Sequence, residues 1–410
     1  MFHQRQLPPV FTDTLHLPTW WPDILDRLAS VDVNNNARVQ HLLPSIQRLS
    51  GHFNSADRGA SPLPPRYLAD GPLRQAYLLY FVTANLLKPL PPLRELLLAG
   101  FPGDGRTLRV FDLGCGPGTG LLALLTFLDA HAADIALEYT GMDVVPAALR
   151  EVERMAAMLA PRSAGLRVRT QLLDLDRAAP ACGDADLVLM MNALNELAPS
   201  TDETRLRALH ASLRPDTRVL LLEPALRHSS RRLLRLRDVA VRGGWTVFAP
   251  CLRQQHCPAL ADERDWCHAD VPWERPAWYA DMDEALGNVK RSLKFSYLTL
   301  SLDGATLEGQ LPRIAMPEAG GSAVHARVVS ELVDEKGRYR CFLCDAHGRL
   351  ACQINKRDLG DSNGDFARLG RYDIVLAAGS EDAPTLRKFG KGSVLRKVEG
   401  RVKSEGGREE

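Results

Sequence analysis

The pattern of hydrophobic and polar positions changes twice along the 410-residue chain. In residues 1–100, apolar side chains recur three to four positions apart, as in TWWPDILDRLASV and PLRQAYLLYFVTANLL, which predicts helices separated by loops. From residue 101, short runs rich in Val, Leu and Ile alternate with helical stretches. This alternation predicts a doubly wound α/β sheet with helices on both faces.

The later chain predicts further units. The runs WTVFAP and FSYLTLSL are expected to be additional strands of the sheet, separated by a polar, Pro-containing insert at 250–290. Beyond residue 320 the pattern is that of strands alone. We therefore predict a helical N-terminal region (1–100), an α/β domain with its insert (101–305), a small β-domain that could be OB-like (320–375) and a basic flexible tail (376–410).

A glycine-rich turn follows the first predicted strand, in the segment Asp112-Leu-Gly114-Cys-Gly116-Pro-Gly118-Thr-Gly120. Glycines let a backbone turn tightly and approach a ligand closely. The spacing does not fit the G-x-G-x-x-G fingerprint of dinucleotide sites. An acidic residue followed by G-x-G-x-G instead resembles motif I of class I S-adenosylmethionine (SAM)-dependent methyltransferases. That resemblance implies a loop around the methionine part of SAM, with Asp112 ordering the loop.

Polar residues also end the next three predicted strands. Asp143 could accept hydrogen bonds from ribose hydroxyls, and Asp174 lies where the family often contacts adenine. The fourth strand runs into Asn192, Asn195 and Glu196, which are candidates to hold the substrate or the sulfonium region and are the only catalytic candidates. Strand-end turn formers and the start of a helix are the structural alternatives for these residues.

The composition excludes several classes of protein. Apolar residues make up 45% and charged residues 25%, the net charge is +1, and no uncharged apolar stretch is long enough to span a bilayer. With no recognisable signal peptide, we expect a monomeric protein of the cytoplasm that has no contact with a membrane. In a reducing compartment, clustered cysteines favour metal binding or catalysis over disulfides.

Three of the eight cysteines, Cys251, Cys257 and Cys267, lie in the insert, where no hydrophobic pattern gives them a packing role. A metal is therefore expected, with a fourth ligand from elsewhere. Zinc is one alternative, although these gaps are wider than its usual pairs, and an iron–sulfur cluster tolerates such spacing. A third alternative makes Cys251 the nucleophile of an RNA 5-methylcytosine methyltransferase.

The combination of DLGCGPGTG, MMNALNEL, LLLEPA, P-C-x5-C-P-x8-W-C-H and KFSYLTL resembles the Rsm-type, methyltransferase-like family of the mitochondrial small ribosomal subunit and its bacterial relatives. The resemblance implies that Cys251, Cys257, Cys267 and one later cysteine hold a [4Fe-4S] cluster. Cys344 is the predicted fourth ligand. Cys341 is the competing candidate, but in the predicted hairpin it opposes Cys352, which suits core thiols better.

Basic residues and the resemblance together point to the small ribosomal subunit or its rRNA as partner. Arg227, Arg231 and Arg235 are predicted to line one face of a helix, where they could contact RNA phosphates. No general base or nucleophile is evident. The sequence thus predicts a SAM-binding, methyltransferase-like protein and leaves open whether it transfers a methyl group or is a catalytically silent assembly factor.

Overall fold

The computed structural model describes residues 14–29, 40–54, 63, 66–103, 107–163, 165–288, 290–312, 323–383 and 385–398. Its helices are α1 (Trp21–Ala29), α2 (Leu43–Asn54), α3 (Gly71–Ala76), α4 (Thr83–Asn85), α5 (Leu90–Leu97), α6 (Thr119–His131), α7 (Pro146–Leu159), α8 (Asp202–Ser212), α9 (Arg227–Arg242), α10 (Ala277–Ala285) and α11 (Leu307–Gln310). A π-helical segment, Tyr77–Val82, joins α3 to α4. None of the helices in these ranges combines the length and apolar character that a membrane span requires.

The strands form two mixed sheets. The first contains β1 (Thr107–Leu113), β2 (Ala136–Asp143), β3 (Arg167–Leu172), β4 (Leu187–Met191), β5 (Arg218–Pro224), β6 (Thr246–Ala249), β7 (Ala269–Pro272) and β8 (Ser292–Ser301). The second contains β9 (Val324–Val328), β10 (Val333–Glu335), β11 (Arg338–Asp345), β12 (Gly348–Asn355), β13 (Ile374–Ala378), β14 (Glu381–Ala383), β15 (Leu386–Phe389) and β16 (Val394–Lys397).

The first sheet has the strand order β3-β2-β1-β4-β5-β8-β6, with β7 paired to β8. Strands β1 to β5 are parallel, and β8 runs antiparallel between β5 and β6. Chain order reverses between β1 and β4, which opens a crevice at the carboxyl ends of these strands, where ligands bind in open α/β sheets. The predicted doubly wound sheet is confirmed.

Burial explains why strands rich in Leu, Val and Met form the centre of the sheet. All five residues of β4 are buried, and helices cover both faces, so nearly continuous Leu, Val and Met are required there. The edge strand β3 is mostly exposed, and four of its six residues are Arg, Thr or Gln. Two separate clusters of buried apolar side chains lie against the sheet.

The N-terminal region packs as helices against the first sheet and the insert. The indole of Trp21 in α1 donates a hydrogen bond to Thr83 Oγ1 (3.0 Å), within the buried core. Tyr80 donates to Asp283 in α10 (2.6 Å), and the rings of Tyr80 and Tyr279 stack with centroids 4.9 Å apart. The N-terminal helices are therefore part of the domain that carries the crevice.

The second sheet extends beyond the predicted boundary at residue 375. Strands β13 to β16 belong to it, so the predicted flexible tail is wrong for residues 376–397, and residues 399–410 lie outside the described part. Arg387 forms a buried ion pair with Asp345 (2.8 Å), which fixes one of the basic residues into the fold. The predicted cross-strand pairing of Cys341 with Cys352 is confirmed, and both side chains lie in the core of this sheet. The OB-like architecture stays a prediction.

Candidate cofactor and cysteine cavities

A cavity of about 290 Å³, here called the cofactor cavity, lies at the carboxyl ends of β1, β2 and β4. Asp112 at the end of β1 is 1% exposed, and its Oδ2 accepts a hydrogen bond from the Tyr139 hydroxyl (2.6 Å). Burial raises the pKa of Asp112 to about 7, against the effect of that hydrogen bond. Asp112, Gly114 and Gly116 all line the cavity, as predicted for a cofactor loop.

Two glycines of the turn are required by close packing. At Gly114 the φ angle is +73°, and a Cβ would lie 2.6 Å from the Cβ of Ala193. At Gly120 a Cβ would lie 2.1 Å from Asp112 Oδ2. Gly118 was predicted to contact the cofactor, but it does not line the cavity. A Cβ at this position would point towards α7 instead.

Asp143, at the end of β2, holds the turn in place. Its Oδ2 accepts from the Gly116 amide (2.9 Å) and its Oδ1 from the Val145 amide (2.8 Å), while burial raises its pKa. A carboxylate has about four lone-pair sites, so both oxygens can accept further bonds from a diol in the cavity. Asp174 lines the same cavity and is half-buried, with Leu173 and Leu175 beside it.

The segment after β4 lies opposite the glycine turn. Asn192 has a left-handed backbone (φ +55°), and its buried Oδ1 has no hydrogen-bond partner among the described residues. Glu196 lines the cavity and accepts a hydrogen bond from the Tyr67 hydroxyl (3.2 Å). Asn195 does not line the cofactor cavity but a neighbouring one, described below. A strained residue with an unsatisfied buried oxygen is typical of a ligand site.

Sequence reasoning missed two contributions to this site. Tyr67 and Tyr77 come from the N-terminal region and close one side of the cavity. Glu223, the one acidic residue of β5, does not line the cavity but supports the segment after β4: it is 1% exposed and accepts from the Leu194 amide (3.0 Å), and burial raises its pKa to about 8. The segment LLLEP contained a signal for Glu223, since the carboxyl ends of parallel strands meet at the edge of the sheet that carries the crevice.

Four cysteines line a second region, here called the cysteine cavity. Cys251, Cys257 and Cys267 reach it from the insert, and Cys344 reaches it from β11. Burial and the neighbouring thiols raise the pKa of Cys257 to about 11 and that of Cys267 to about 12. These are the four residues expected from the sequence, and Cys341 does not line this cavity.

The surroundings of the cysteine cavity carry positive charge. Arg237 and Arg327 are almost fully buried and line it, and Arg237 donates to Asp238 (2.6 Å) and to the Arg253 carbonyl (2.6 Å). Such a setting suits an anionic group bound by thiolates. Among the described residues no group of three or more His, Cys, Asp or Glu side chains is arranged to hold a metal ion, so this geometry supports neither the zinc nor the iron–sulfur prediction.

The same geometry changes two other expectations. Cys251 lines the cysteine cavity and not the cofactor cavity, which argues against a nucleophile that meets its substrate beside SAM. Arg231 is half-buried and is not available to RNA phosphates as predicted. Its guanidinium donates to the Asp262 (2.6 Å) and Asp265 (2.7 Å) carbonyls and thereby connects the insert to α9. Arg227 and Arg235 are exposed.

Comparison with known families identifies the chain. The family model described as "Rsm22: Mitochondrial small ribosomal subunit Rsm22" matches residues 104–371, which is more than half of the sequence. The chain belongs to the Rsm22 family. The match includes the glycine turn and the four cysteines of the cysteine cavity, and it ends before β13. No curated protein matches this Rsm22-family chain.

Solved methyltransferases resemble the chain only distantly. A TehB-like SAM-dependent methyltransferase from Corynebacterium glutamicum is 16% identical over 50% of this chain and 86% of its own, with a TM-score of 0.29. A SAM-dependent methyltransferase from Leishmania major is 14% identical over 73% and 99%, with a TM-score of 0.33. Magnesium protoporphyrin IX methyltransferase from Synechocystis, solved with bound SAM, is 13% identical over 63% and 96%, with a TM-score of 0.31. At these TM-scores no property of these enzymes is carried over.

Proposed function

We propose that this Rsm22-family chain is a SAM-binding, methyltransferase-like protein that holds a [4Fe-4S] cluster and acts on the small ribosomal subunit or its rRNA. The observation that carries the proposal is the cofactor cavity, where the glycine turn, Asp112, Asp143 and Asn192 meet at the carboxyl ends of three strands. The family description supports the small subunit as partner.

The residues present fit SAM. Gly114 and Gly116 border the cavity with no Cβ that would obstruct a ligand, and the unpaired Oδ1 of Asn192 offers an acceptor to an amino group. Asp143 would take the ribose diol, and Leu173 and Asp174 lie where an adenine ring would extend. When bound, SAM supplies an electrophilic methyl group, and this chain would hold and orient it.

The residues of the cysteine cavity fit a cluster. Four thiols from two parts of the chain share one cavity with buried guanidinium groups, which matches four-thiolate ligation of an anionic cluster. Because Cys344 lies in the second sheet and the other three ligands lie in the insert, such a cluster would cross-link the two domains. Its expected role is therefore to stabilise their relative arrangement.

One observation favours the catalytically silent alternative. Glu196 is the only carboxylate among the described residues that borders both the cofactor cavity and its neighbour, and it is engaged by Tyr67. In that alternative bound SAM stabilises the fold without turnover. The methylation of small-subunit rRNA in cells lacking the protein distinguishes the enzyme from the assembly factor. Loss of one methyl mark supports the enzyme, and an unchanged methylation map with defective subunits supports the assembly factor.

The cluster is tested on anaerobically purified protein. We expect a brown protein with about four iron and four sulfide per chain. Cys257→Ser should remove the colour, whereas Cys341→Ser, the matched control in the core of the second sheet, should keep it. A colourless wild-type protein that contains one zinc would contradict the cluster.

A further inference from the structure

A second cavity of about 520 Å³, which Asn195 lines, lies next to the cofactor cavity, and neither SAM nor the cluster is assigned to it. The two cavities share Tyr67, Tyr77, Asn192 and Glu196 as lining residues. A group bound in the second cavity would therefore lie beside the methyl end of a donor bound in the first. The side chains that line the second cavity indicate which class of methyl acceptor it could bind.

One wall of the second cavity is aromatic. Phe53, Tyr67, Tyr77 and Phe81 pack together, with Tyr77 stacked on Phe81 at a centroid distance of 5.5 Å and Phe53 edge-on to Phe81 at 5.1 Å. All four rings are half-buried, so part of each remains accessible. A wall of this kind suits a planar ring, because a base stacks on any aromatic face.

The second cavity also has basic lining residues. Lys88 and Lys290 line it, both are half-buried, and neither forms an ion pair with a carboxylate of the described ranges. Burial lowers the pKa of Lys88 to about 8, and burial together with the charge of Lys88 lowers that of Lys290 to about 7. The Lys290 amine donates to the Tyr279 hydroxyl (3.3 Å) and lies 3.8 Å from the centre of the Tyr80 ring, while Asp283 accepts from Tyr80, Arg275 and the Lys290 backbone amide.

The charged residues that line the second cavity are mainly basic, which favours the binding of an anion. Lys294 is paired with Asp270 (3.1 Å), and Glu196 is the only acidic residue in the lining described. The charge of Lys88 lowers the pKa of Lys290 and that of Asp283 raises it, and an anion beside the two amines would relieve their mutual repulsion. Arg291 in the lining is exposed, so positive charge continues to the surface.

We propose that the second cavity is the acceptor site and that it takes a nucleotide of single-stranded RNA, with its base against the aromatic wall and its phosphate at Lys88 and Lys290. The proposal rests on the proposed function, since it requires a methyl donor in the cofactor cavity. It deepens that function by naming the acceptor class. A nucleotide in a strand is favoured over a free one because Arg291, an exposed lining residue, would meet an adjoining phosphate at the surface.

The test is binding of a short, fluorescein-labelled single-stranded RNA of mixed sequence, with nucleoside monophosphates and uncharged nucleosides as competitors. Lys88→Gln should weaken RNA binding by about tenfold, the loss of one charge-assisted bond, and the exposed control Lys336→Gln should not. Tyr77→Leu should weaken it by about tenfold through lost stacking, and Tyr77→Phe, which keeps the ring, should bind like wild type.

Equal RNA binding by wild type and by Lys88→Gln would overturn the proposal. A monophosphate that competes as tightly as the RNA would overturn the assignment to a strand. Binding of S-adenosylhomocysteine, measured on the same samples, tests the donor site separately. If it binds and RNA does not, the acceptor site is wrong; if RNA binding depends on Lys88 but S-adenosylhomocysteine does not bind, the cofactor assignment is wrong.

Discussion

The buried ion pair between Glu95 and Arg327 joins the N-terminal helices to the second sheet, and Arg327→Met should break that connection. Glu95 in α5 is 1% exposed and Arg327 in β9 is 2% exposed, with Oε1 and Nη1 2.9 Å apart. Arg327 also donates from Nε to the Pro250 carbonyl (3.1 Å), next to Cys251, and its guanidinium lies 4.2 Å from the centre of the Tyr372 ring.

The expected loss of unfolding free energy follows from the buried charge that Arg327→Met leaves without a partner. Methionine preserves most of the side-chain volume but leaves the Glu95 carboxylate buried without its cation, which costs roughly 3–5 kcal/mol of unfolding free energy. Arg218→Met is the matched control, because its partner Asp303 is 31% exposed and water can replace the lost cation. For Arg218→Met we expect a loss of unfolding free energy of about 1 kcal/mol or less.

A double-mutant cycle isolates the pair. Glu95→Gln together with Arg327→Met removes both charges and should recover more than half of the loss seen with Arg327→Met alone. Urea denaturation followed by circular dichroism gives the free energies, and iron content measured on the same samples shows whether Cys251 stays in position. A loss for Arg327→Met no larger than that for Arg218→Met, or a double variant as unstable as the single one, would show that the pair does not stabilise the fold in this way.

Further predictions concern the two cavities. Gly114→Ala should abolish S-adenosylhomocysteine binding in calorimetry, because its Cβ would meet Ala193 at 2.6 Å and its φ is +73°; undiminished affinity would contradict this. The Glu223 carboxyl, whose pKa burial raises from 4.5 to about 8, holds an extra proton in the folded state between these values, so stability should fall as pH rises from about 4.5 to 8. Thermal unfolding at pH 5.5 and 8.5 should show a smaller drop for Glu223→Gln than for wild type; an equal drop would refute the assignment. Cys344→Ser should lower bound iron and Cys341→Ser should not, as measured by metal analysis, and the reverse result would move the fourth ligand to Cys341.

The sequence was sufficient for the central sheet and for most of the cofactor cavity. Local spacing determines both, since an acidic residue, a glycine turn and a following helix are adjacent in the chain, and parallel strands bring Asp112, Asp143 and Asn192 to one edge. The pairing of Cys341 with Cys352 followed from counting across a hairpin, which is also a local relation.

Contacts between distant segments were not predictable in this way. Tyr67 reaches Glu196 across 129 residues, and Arg231 fastens the insert through backbone carbonyls that carry no sequence signal. The basic residues after 376 suggested a solvated tail, but Arg387 pairs with Asp345 inside the second sheet. Charge patterns indicate exposure only when no buried partner exists elsewhere, and a single sequence does not reveal such partners.

We propose above that the cavity between the glycine turn and Asn192 binds SAM. Its most direct test is calorimetric titration of S-adenosylhomocysteine into the anaerobically purified wild-type protein and into Asp143→Asn. We expect one site per chain for the wild type and a loss of affinity of about tenfold or more for Asp143→Asn, whose amide cannot replace a carboxylate as acceptor from the ribose and from both backbone amides. No binding by the wild type, or equal affinities for the two proteins, would contradict it.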